Sequence, residues 1–190
     1  SVLAMLGDGW RDIDIAPDAT FIRLKPGVIG GDANRHLARF GRKIGPDPAS
    51  INACKIGGIL ANNASGMCCG TQQNSYYTLK SMRLMLANGA IVDTGDPASR
   101  AAFARLHPEI LARLSALAER TRADAALAER IRRKFAIKNT CGYSLNALVD
   151  FTDPIDILQH LLIGSEGTLG FMSEITYHTV PEHAHKASAL

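Results

Sequence analysis

Two adjacent glycines open the run Ile56-Gly-Gly-Ile-Leu-Ala-Asn-Asn-Ala-Ser-Gly66, and they are the first residues whose types suggest chemistry. A ligand can approach the backbone at Gly57 and Gly58 because glycine has no Cβ. The first amides of a helix have no partner inside the helix and favour an anion. The run therefore predicts a short helix that begins at the glycines and meets a phosphate or the edge of a polar ring. A tight turn packed against a strand fits the composition equally well.

The residues around this helix add rigidity and polar groups. Two prolines restrict the backbone of the preceding loop, Ile44–Ser50, which indicates a rigid connection. Asn62, Asn63 and Ser65 place short polar side chains at the end of the helix. Gly66 is predicted to end the turn with a positive φ.

Two later loops carry further polar groups. The loop Gly164–Gly170 has regularly spaced glycines around Glu166. A carboxylate in a glycine-rich loop usually caps an amide and would repel a phosphate group, so Glu166 is expected to face an amide or, where a nucleotide binds, its ribose. The loop Asn139–Leu145 contains Tyr143, whose ring is expected to pack while its hydroxyl bonds to the backbone. Contact of Tyr143 with a substrate is the alternative.

Cysteines and histidines give weaker signals. The four cysteines, at positions 54, 68, 69 and 141, form no CxxC pair. Reduced thiols are expected, and small buried thiols at Cys68 and Cys69 are favoured over a vicinal disulfide or a metal site there. His183 and His185 have the spacing of a metal-binding pair, but a disordered tail is the favoured interpretation. No metal site is predicted.

The elements that must position these loops are strands and helices with clear local signals. Thr78–Ala87 and Ala90–Thr94 flank Asn88-Gly89, which predicts a hairpin. Thr20–Lys25 alternates apolar and polar residues like a half-buried strand, and Leu169–Val180 reads as a closing strand.

Helix signals fill the rest of the chain. Asp32 is predicted to cap a helix that runs to about Phe40 and stops at Gly41. Residues 97–134 are predicted to be helical, with a new helix at Pro108. Asp153 is predicted to cap a short helix whose first turn begins with proline.

Composition bounds the class of protein. The 190 residues, 46% hydrophobic and 21% charged, fit one soluble domain. The net charge of +3, from 21 basic and 18 acidic residues, is too mild to indicate nucleic-acid binding. The densest basic run, Arg130–Lys134, is interpreted as the solvated end of a helix. No run approaches 18 apolar residues, and neither a membrane span nor a secretory leader is expected.

Three runs in the same order resemble the FAD-linked oxidase family. They are Gly41–Ser50, Ile56–Gly66 and Ile163–Thr176, and the resemblance covers nearly all of residues 20–181. The flavin fold of this family is the vanillyl-alcohol oxidase or p-cresol methylhydroxylase (PCMH) type. The sequence is most similar to its D-lactate and D-2-hydroxyglutarate dehydrogenase branch. A Rossmann-type nicotinamide enzyme is disfavoured because no GxGxxG directly follows a strand.

The resemblance implies an α+β fold, with a small, mostly antiparallel sheet flanked by helices. This is the second subdomain of a PCMH-type FAD-binding domain. Residues 1–181 would form that partial domain, with a helical insert at about 97–134, and residues 182–190 would begin the substrate domain. The first subdomain and the cap have no counterpart, so an excised piece without turnover is expected. An uncovered Val2–Leu6 strand and outer face of Ile56–Ala61 would then favour self-association.

The resemblance also implies which residues bind FAD. Cys141 stands where relatives usually carry Thr, which removes a hydroxyl at that position, and no catalytic residue is implied within the chain. The cofactor-binding residues carried over are Pro46, Asp47, Ser50, Gly57, Gly58, Asn62, Ser65, Gly66, Thr140, Gly142, Tyr143, Glu166, Gly167, Gly170 and Ile175.

The implied activity belongs to the whole protein. It is oxidation of a D-2-hydroxy acid, with D-lactate first, and transfer of electrons to a quinone, a cytochrome or a flavoprotein. The alternatives are a D-2-hydroxyglutarate dehydrogenase and an isolated, non-catalytic flavin-fold interaction domain. The expected location is cytoplasmic, or peripheral to the inner face of the membrane in the whole protein.

Overall fold

A six-stranded antiparallel sheet organises the fold in the computed structural model, which describes residues 5–184. Five strands follow the order β1-β2-β6-β4-β5, and β3 pairs with the far end of β6. This confirms the predicted small antiparallel sheet. The strands are β1 (Ile13–Ile15), β2 (Phe21–Leu24), β3 (Arg42–Ile44), β4 (Leu79–Leu86), β5 (Ile91–Asp93) and β6 (Gly170–Pro181).

Helices cover this sheet, and the predicted insert forms three of them. Pro108 begins the second helix of the insert, as predicted, and the Asp153 carboxylate caps the last helix through the amides of Ile155 and Asp156. The helices are α1 (Gly30–Ala38), α2 (Ile56–Asn62), α3 (Ser75–Thr78), α4 (Pro97–Leu106), α5 (Pro108–Ala123), α6 (Ala125–Phe135), α7 (Ala147–Asp150) and α8 (Pro154–Leu162), after a 3-10 turn at Asp8–Trp10.

Strand β6 is the centre of the sheet because it pairs with β2, β4 and β3. Ile175 of β6 lies in register with Leu24 of β2 and Met82 of β4, and all three side chains are buried in the main hydrophobic core. The hairpin of β4 and β5 turns at Gly89, where φ is +82°. The predicted hairpin and closing strand are therefore confirmed.

The start of α1 differs from the prediction. The helix begins at Gly30, and Asp32 lies inside its first turn rather than at the cap. The amides of Gly30 and Gly31 donate to the carbonyls of Cys54 and Ile51, at 3.0 and 2.7 Å. These distant carbonyls satisfy the first turn, so a capping side chain is not needed.

The N-terminal strand prediction is only partly covered by the structure. Residues 2–4 lie outside the described range, and the next residues, Met5 and Leu6, are not in a strand. At the other end, His185 also lies outside the described residues. Helix α1 ends at Ala38, two residues before the predicted end, and Gly41, with a φ of +64°, lies in the turn that follows.

The thiols are free, and the predicted burial of Cys68 and Cys69 is confirmed for Cys69 and wrong for Cys68. Cys69 is buried and Cys54 is half-buried, whereas Cys68 and Cys141 lie exposed on surface loops. Between residues 5 and 184, no group of His, Cys, Asp and Glu is arranged to hold a metal ion. No helix in that range is long and apolar enough to cross a membrane.

Candidate cofactor-binding surface

The start of α2 uses its first amides within the protein. Ile56 N donates to Val28 O at 2.8 Å, and Gly57 N donates to Pro26 O at 2.9 Å. The sequence predicted unpaired amides here, and for these two residues that prediction is wrong. The carbonyl groups of Pro26 and Val28 accept these hydrogen bonds, so these two amides are not available to an anion.

Internal packing explains two of the glycines assigned to the cofactor. A Cβ on Gly57 would lie 2.9 Å from Pro26 Cβ, and a Cβ on Gly66 would lie 1.9 Å from Asp47 O. The predicted positive φ at Gly66 is wrong, because the left-handed residue that ends α2 is Asn63, with φ +50°. Close approach of another segment therefore fixes these two glycines.

Three further glycines assigned to the cofactor also have an internal explanation, whereas Gly58 has none. A Cβ at Gly170 would lie 2.8 Å from Met85 O, so strand packing accounts for that glycine. Gly142 and Gly167 have φ of +74° and +76°, which favours glycine. At Gly58 a Cβ would meet nothing within 4 Å, the φ is ordinary, and the residue is exposed on the first turn of α2. Its missing side chain leaves backbone open to a ligand.

The glycine-spaced loop at 164–168 docks on the end of α2. Gly164 N donates to Leu60 O at 3.3 Å, and Glu166 N donates to Ala61 O at 3.0 Å. The Asn62 amide donates to the Glu166 carboxylate at 2.5 Å. This satisfies the last carbonyls of the helix and confirms the expectation that Glu166 faces an amide.

The polar loop before α7 joins both of these segments. Lys138 Nζ donates to Ser65 O at 2.8 Å, so it holds the turn that follows α2. The hydroxyl of Tyr143 bonds to the Thr168 hydroxyl at 2.9 Å. The Tyr143 hydroxyl was expected to bond to backbone, and that prediction is wrong because its partner is a side chain. The residue is 43% exposed beside the 164–168 loop.

Three segments that are far apart in the sequence therefore share one face of the molecule. They are residues 56–66, 138–144 and 164–168, and we call this face the three-loop surface. It brings together Gly58, Asn62, Ser65, Gly66, Thr140, Gly142, Tyr143, Glu166 and Gly167 from the predicted set.

Asp47 holds one edge of this surface in place. Its Oδ1 accepts from the amides of Gly66 and Cys69, at 3.1 and 3.2 Å, and its Oδ2 lies 4.0 Å from Lys43 Nζ. Burial raises the pKa of the Cys69 thiol, and the hydrogen bond with Asp47 raises it further. Asp47 and the buried Pro46 thus shape the turn from below.

Two other predicted residues lie apart from the surface. Ile175 is fully buried between β2 and β4, so its side chain lies in the core and not on the three-loop surface, and its assignment to the cofactor stays a prediction. Ser50 is exposed in the turn before α2, where its carbonyl accepts from the amides of Ala53 and Cys54. The side chain of Ser50 is exposed to a ligand in that turn, apart from the three-loop surface.

The structure adds Ser165 and Lys138, which sequence reasoning missed. Ser165 Oγ is buried, with the residue 2% exposed, and it has no hydrogen-bond partner within residues 5–184. A buried hydroxyl without a partner is costly, which points to a group that completes it. The only sequence signal for Ser165 was its place between Gly164 and Glu166.

The surface fits a nucleotide cofactor of the FAD kind. Gly58 leaves open backbone, Ser165 offers an unpaired hydroxyl, and Lys138 brings a cation to the rim. Backbone approach and polar side chains are what a dinucleotide requires from its protein. The fold and this surface thus define an α+β cofactor-binding domain.

Comparison with known protein families agrees with this class. The sequence profile of a family described as FAD binding domain matches residues 1–95, which is half of the chain. The chain belongs to this FAD binding domain family, and its cofactor is FAD. The resemblance to FAD-linked oxidases is confirmed.

Individual relatives extend the similarity past residue 95. D-2-hydroxyglutarate dehydrogenase of Escherichia coli (strain K12) is 27% identical over 171 residues, which cover 86% of this chain and 16% of that protein. The protein of the same name from Pantoea ananatis (strain AJ13355) is 28% identical over 184 residues, which cover 90% of this chain and 17% of that protein. The chain therefore spans about a sixth of the length of these curated relatives.

A solved structure supports the fold independently. An alkyldihydroxyacetonephosphate synthase superposes with a TM-score of 0.50 at 15% identity, over 90% of this chain and 22% of that chain. At this identity the match shows the fold alone. It confirms the predicted PCMH-type architecture.

Proposed function

We propose that the whole protein is an FAD-dependent dehydrogenase that oxidises a D-2-hydroxy acid to the 2-oxo acid. In this proposal the present chain supplies one side of the FAD site. The observation that carries it is Gly58, whose open backbone lies on the three-loop surface without an internal reason for glycine. Two D-2-hydroxyglutarate dehydrogenases among the relatives support the substrate class.

The residues of this chain would bind and orient the cofactor. Gly58 admits close approach to α2, and the Ser165 hydroxyl completes its hydrogen bonding with a polar group of FAD. Glu166 stays with Asn62 or accepts from a ribose hydroxyl, and its negative charge keeps it away from phosphate. Bound FAD supplies a ring that accepts the two electrons of the oxidation.

The substrate proposal names two acids. D-2-hydroxyglutarate is favoured by the names of the relatives, and D-lactate shares the 2-hydroxy acid group. The other partners proposed are a quinone, cytochrome or flavoprotein acceptor, in a cytoplasmic protein or one peripheral to the inner face of the membrane. We expect the 190-residue chain alone to oxidise neither acid.

The test is turnover of the whole protein with an artificial dye as electron acceptor. We expect oxidation of D-2-hydroxyglutarate or D-lactate, with the L-enantiomers as stereochemical controls. A yellow, FAD-loaded protein that leaves all D-2-hydroxy acids unoxidised would overturn the substrate class. A protein that binds no FAD in the same experiment would overturn the role of the three-loop surface.

A further inference from the structure

Two buried amide oxygens lie just below the three-loop surface without a partner. Asn63 and Asn146 are 6% and 4% exposed, and the Oδ1 atom of each accepts no hydrogen bond from any residue within 5–184. Buried acceptors of this kind are rare and usually mark an unseen donor. Asn63 belongs to the 56–66 segment of the surface, and Asn146 follows the 138–144 segment by two residues.

The two side chains line one narrow crevice. Asn74 and Ser144 also line it, each more than nine-tenths buried, and Ile137 lies at its exposed rim. Its volume is ≈ 10 Å³. A cavity needs a volume of about 10–15 Å³, on this measure, to hold one water molecule. The crevice is therefore about the size of one hydrogen-bond donor molecule as small as water.

The orientation of the Asn146 amide is fixed by its neighbours. Asn146 Nδ2 donates to Asp150 Oδ2 at 3.1 Å, and that carboxylate also accepts from the Tyr76 hydroxyl at 2.9 Å. Reversing the amide would place Asn146 Oδ1 against the carboxylate, which is repulsive. The unpaired atom is thus an acceptor, and it requires a donor.

We propose that one water molecule occupies this crevice and donates its two hydrogens to Asn63 Oδ1 and Asn146 Oδ1. Asn74 Oδ1 already accepts from Tyr77 N, so the amide group of Asn74 is the donor for a lone pair of the water.

Such a water joins two segments that the backbone does not link here. Asn63 is the left-handed residue that ends α2, and Asn146 immediately precedes α7. The bridge would hold the 62–66 turn against the residues that join the 138–144 loop to α7, from below the surface that meets FAD. Asn63 and Asn146 are then positioning residues, and this last statement rests on the proposed cofactor surface.

A high-resolution crystal structure tests the water directly. We expect one density peak about 2.5–3.0 Å from both Oδ1 atoms, the range of O–H···O hydrogen bonds. An empty crevice would overturn the proposal. A peak with the shorter contacts and higher coordination of a metal ion would also overturn it.

Thermal unfolding of variants tests the bridge independently. Asn63→Gly keeps the left-handed backbone accessible, and Asn146→Ala removes the second acceptor. We expect Asn63→Gly to lower the Tm by about 2–4 °C, the shift for loss of one buried hydrogen-bonded link in a domain of this size. Asn146→Ala should lower it further, because it also removes the donation from Asn146 Nδ2 to Asp150. Because both changes remove the same water, the double variant should lose less than the sum of the two.

Met67→Gly, at a residue that is 99% exposed, controls for the added freedom of glycine. A double variant whose loss equals the sum would overturn the shared water, since independent sites add. FAD affinity of the Asn146→Ala variant separates the two claims. Unchanged affinity alongside the density peak would keep the water and refute only its positioning role.

Discussion

Replacement of Gly58 by alanine distinguishes a cofactor contact from ordinary helix packing. The added Cβ would meet no protein atom within 4 Å, and alanine is the better helix former by about 0.5–1 kcal/mol. Without cofactor, the Gly58→Ala variant should therefore be more stable, with a Tm higher by about 1–4 °C. The same methyl group would stand where FAD is proposed to approach.

The effect on FAD follows from the cost of one extra methyl in a packed contact. That cost is about 1–3 kcal/mol, which corresponds to about 5–150-fold weaker binding. The assay is titration with FAD followed by flavin fluorescence and thermal shift, on the whole protein and on the 190-residue chain in parallel. A loss of affinity together with a gain of stability is the signature we expect.

Gly57→Ala is the matched control on the same helix turn. Its Cβ would lie 2.9 Å from Pro26 Cβ, so α2 must move, at a cost of about 1–3 kcal/mol in stability. A Gly58→Ala variant that is more stable and binds FAD like the parent would refute the contact. A Gly58→Ala variant that is destabilised would refute the described packing of α2.

The remaining predictions use the same two measurements. Gly66→Ala should lower the Tm far more than Gly9→Ala, because only the former meets a carbonyl, at 1.9 Å, and equal shifts would contradict the packing of Asp47 on the turn. Ser165→Ala should leave the Tm without FAD unchanged or higher, because it removes an unpaired hydroxyl, and should weaken FAD binding; full affinity would contradict its role. Burial lowers the pKa of His160. In the unfolded chain this histidine takes up a proton near pH 6.5, whereas in the folded chain it is still neutral at that pH. The stability that this histidine contributes is present above about pH 6.5 and is lost as the pH falls toward its lower folded pKa, so the Tm of the parent should fall more steeply with acid than that of His160→Gln.

Elements with a local cause were predictable from the sequence. The Asn88-Gly89 turn, the start of α5 at Pro108 and the Asp153 cap each depend on the conformational preferences of a few adjacent residues. The loops of the cofactor surface were found because their glycines and short polar residues stand close together in sequence.

Elements decided by distant segments were not predictable. Asp32 is a good capping residue, but the carbonyls of Ile51 and Cys54 had already satisfied the first turn of α1. Gly57 was predicted to meet an anion, but its amide donates to the Pro26 carbonyl in the structure. The family resemblance assigned Ile175 to the cofactor, whereas its register between β2 and β4 buries its side chain in the core.

The sequence alone predicted the class of fold and the cofactor through its resemblance to the FAD-linked oxidase family, and it predicted the three loops because backbone preferences and residue types are local properties. Only the tertiary structure decided which of those residues face a ligand. That choice depends on which segments pack against each amide and Cβ, and the packing partners lie tens of residues away. Gly58 and Gly57 are adjacent and chemically identical, and only Pro26 makes one a packing residue and leaves the other open.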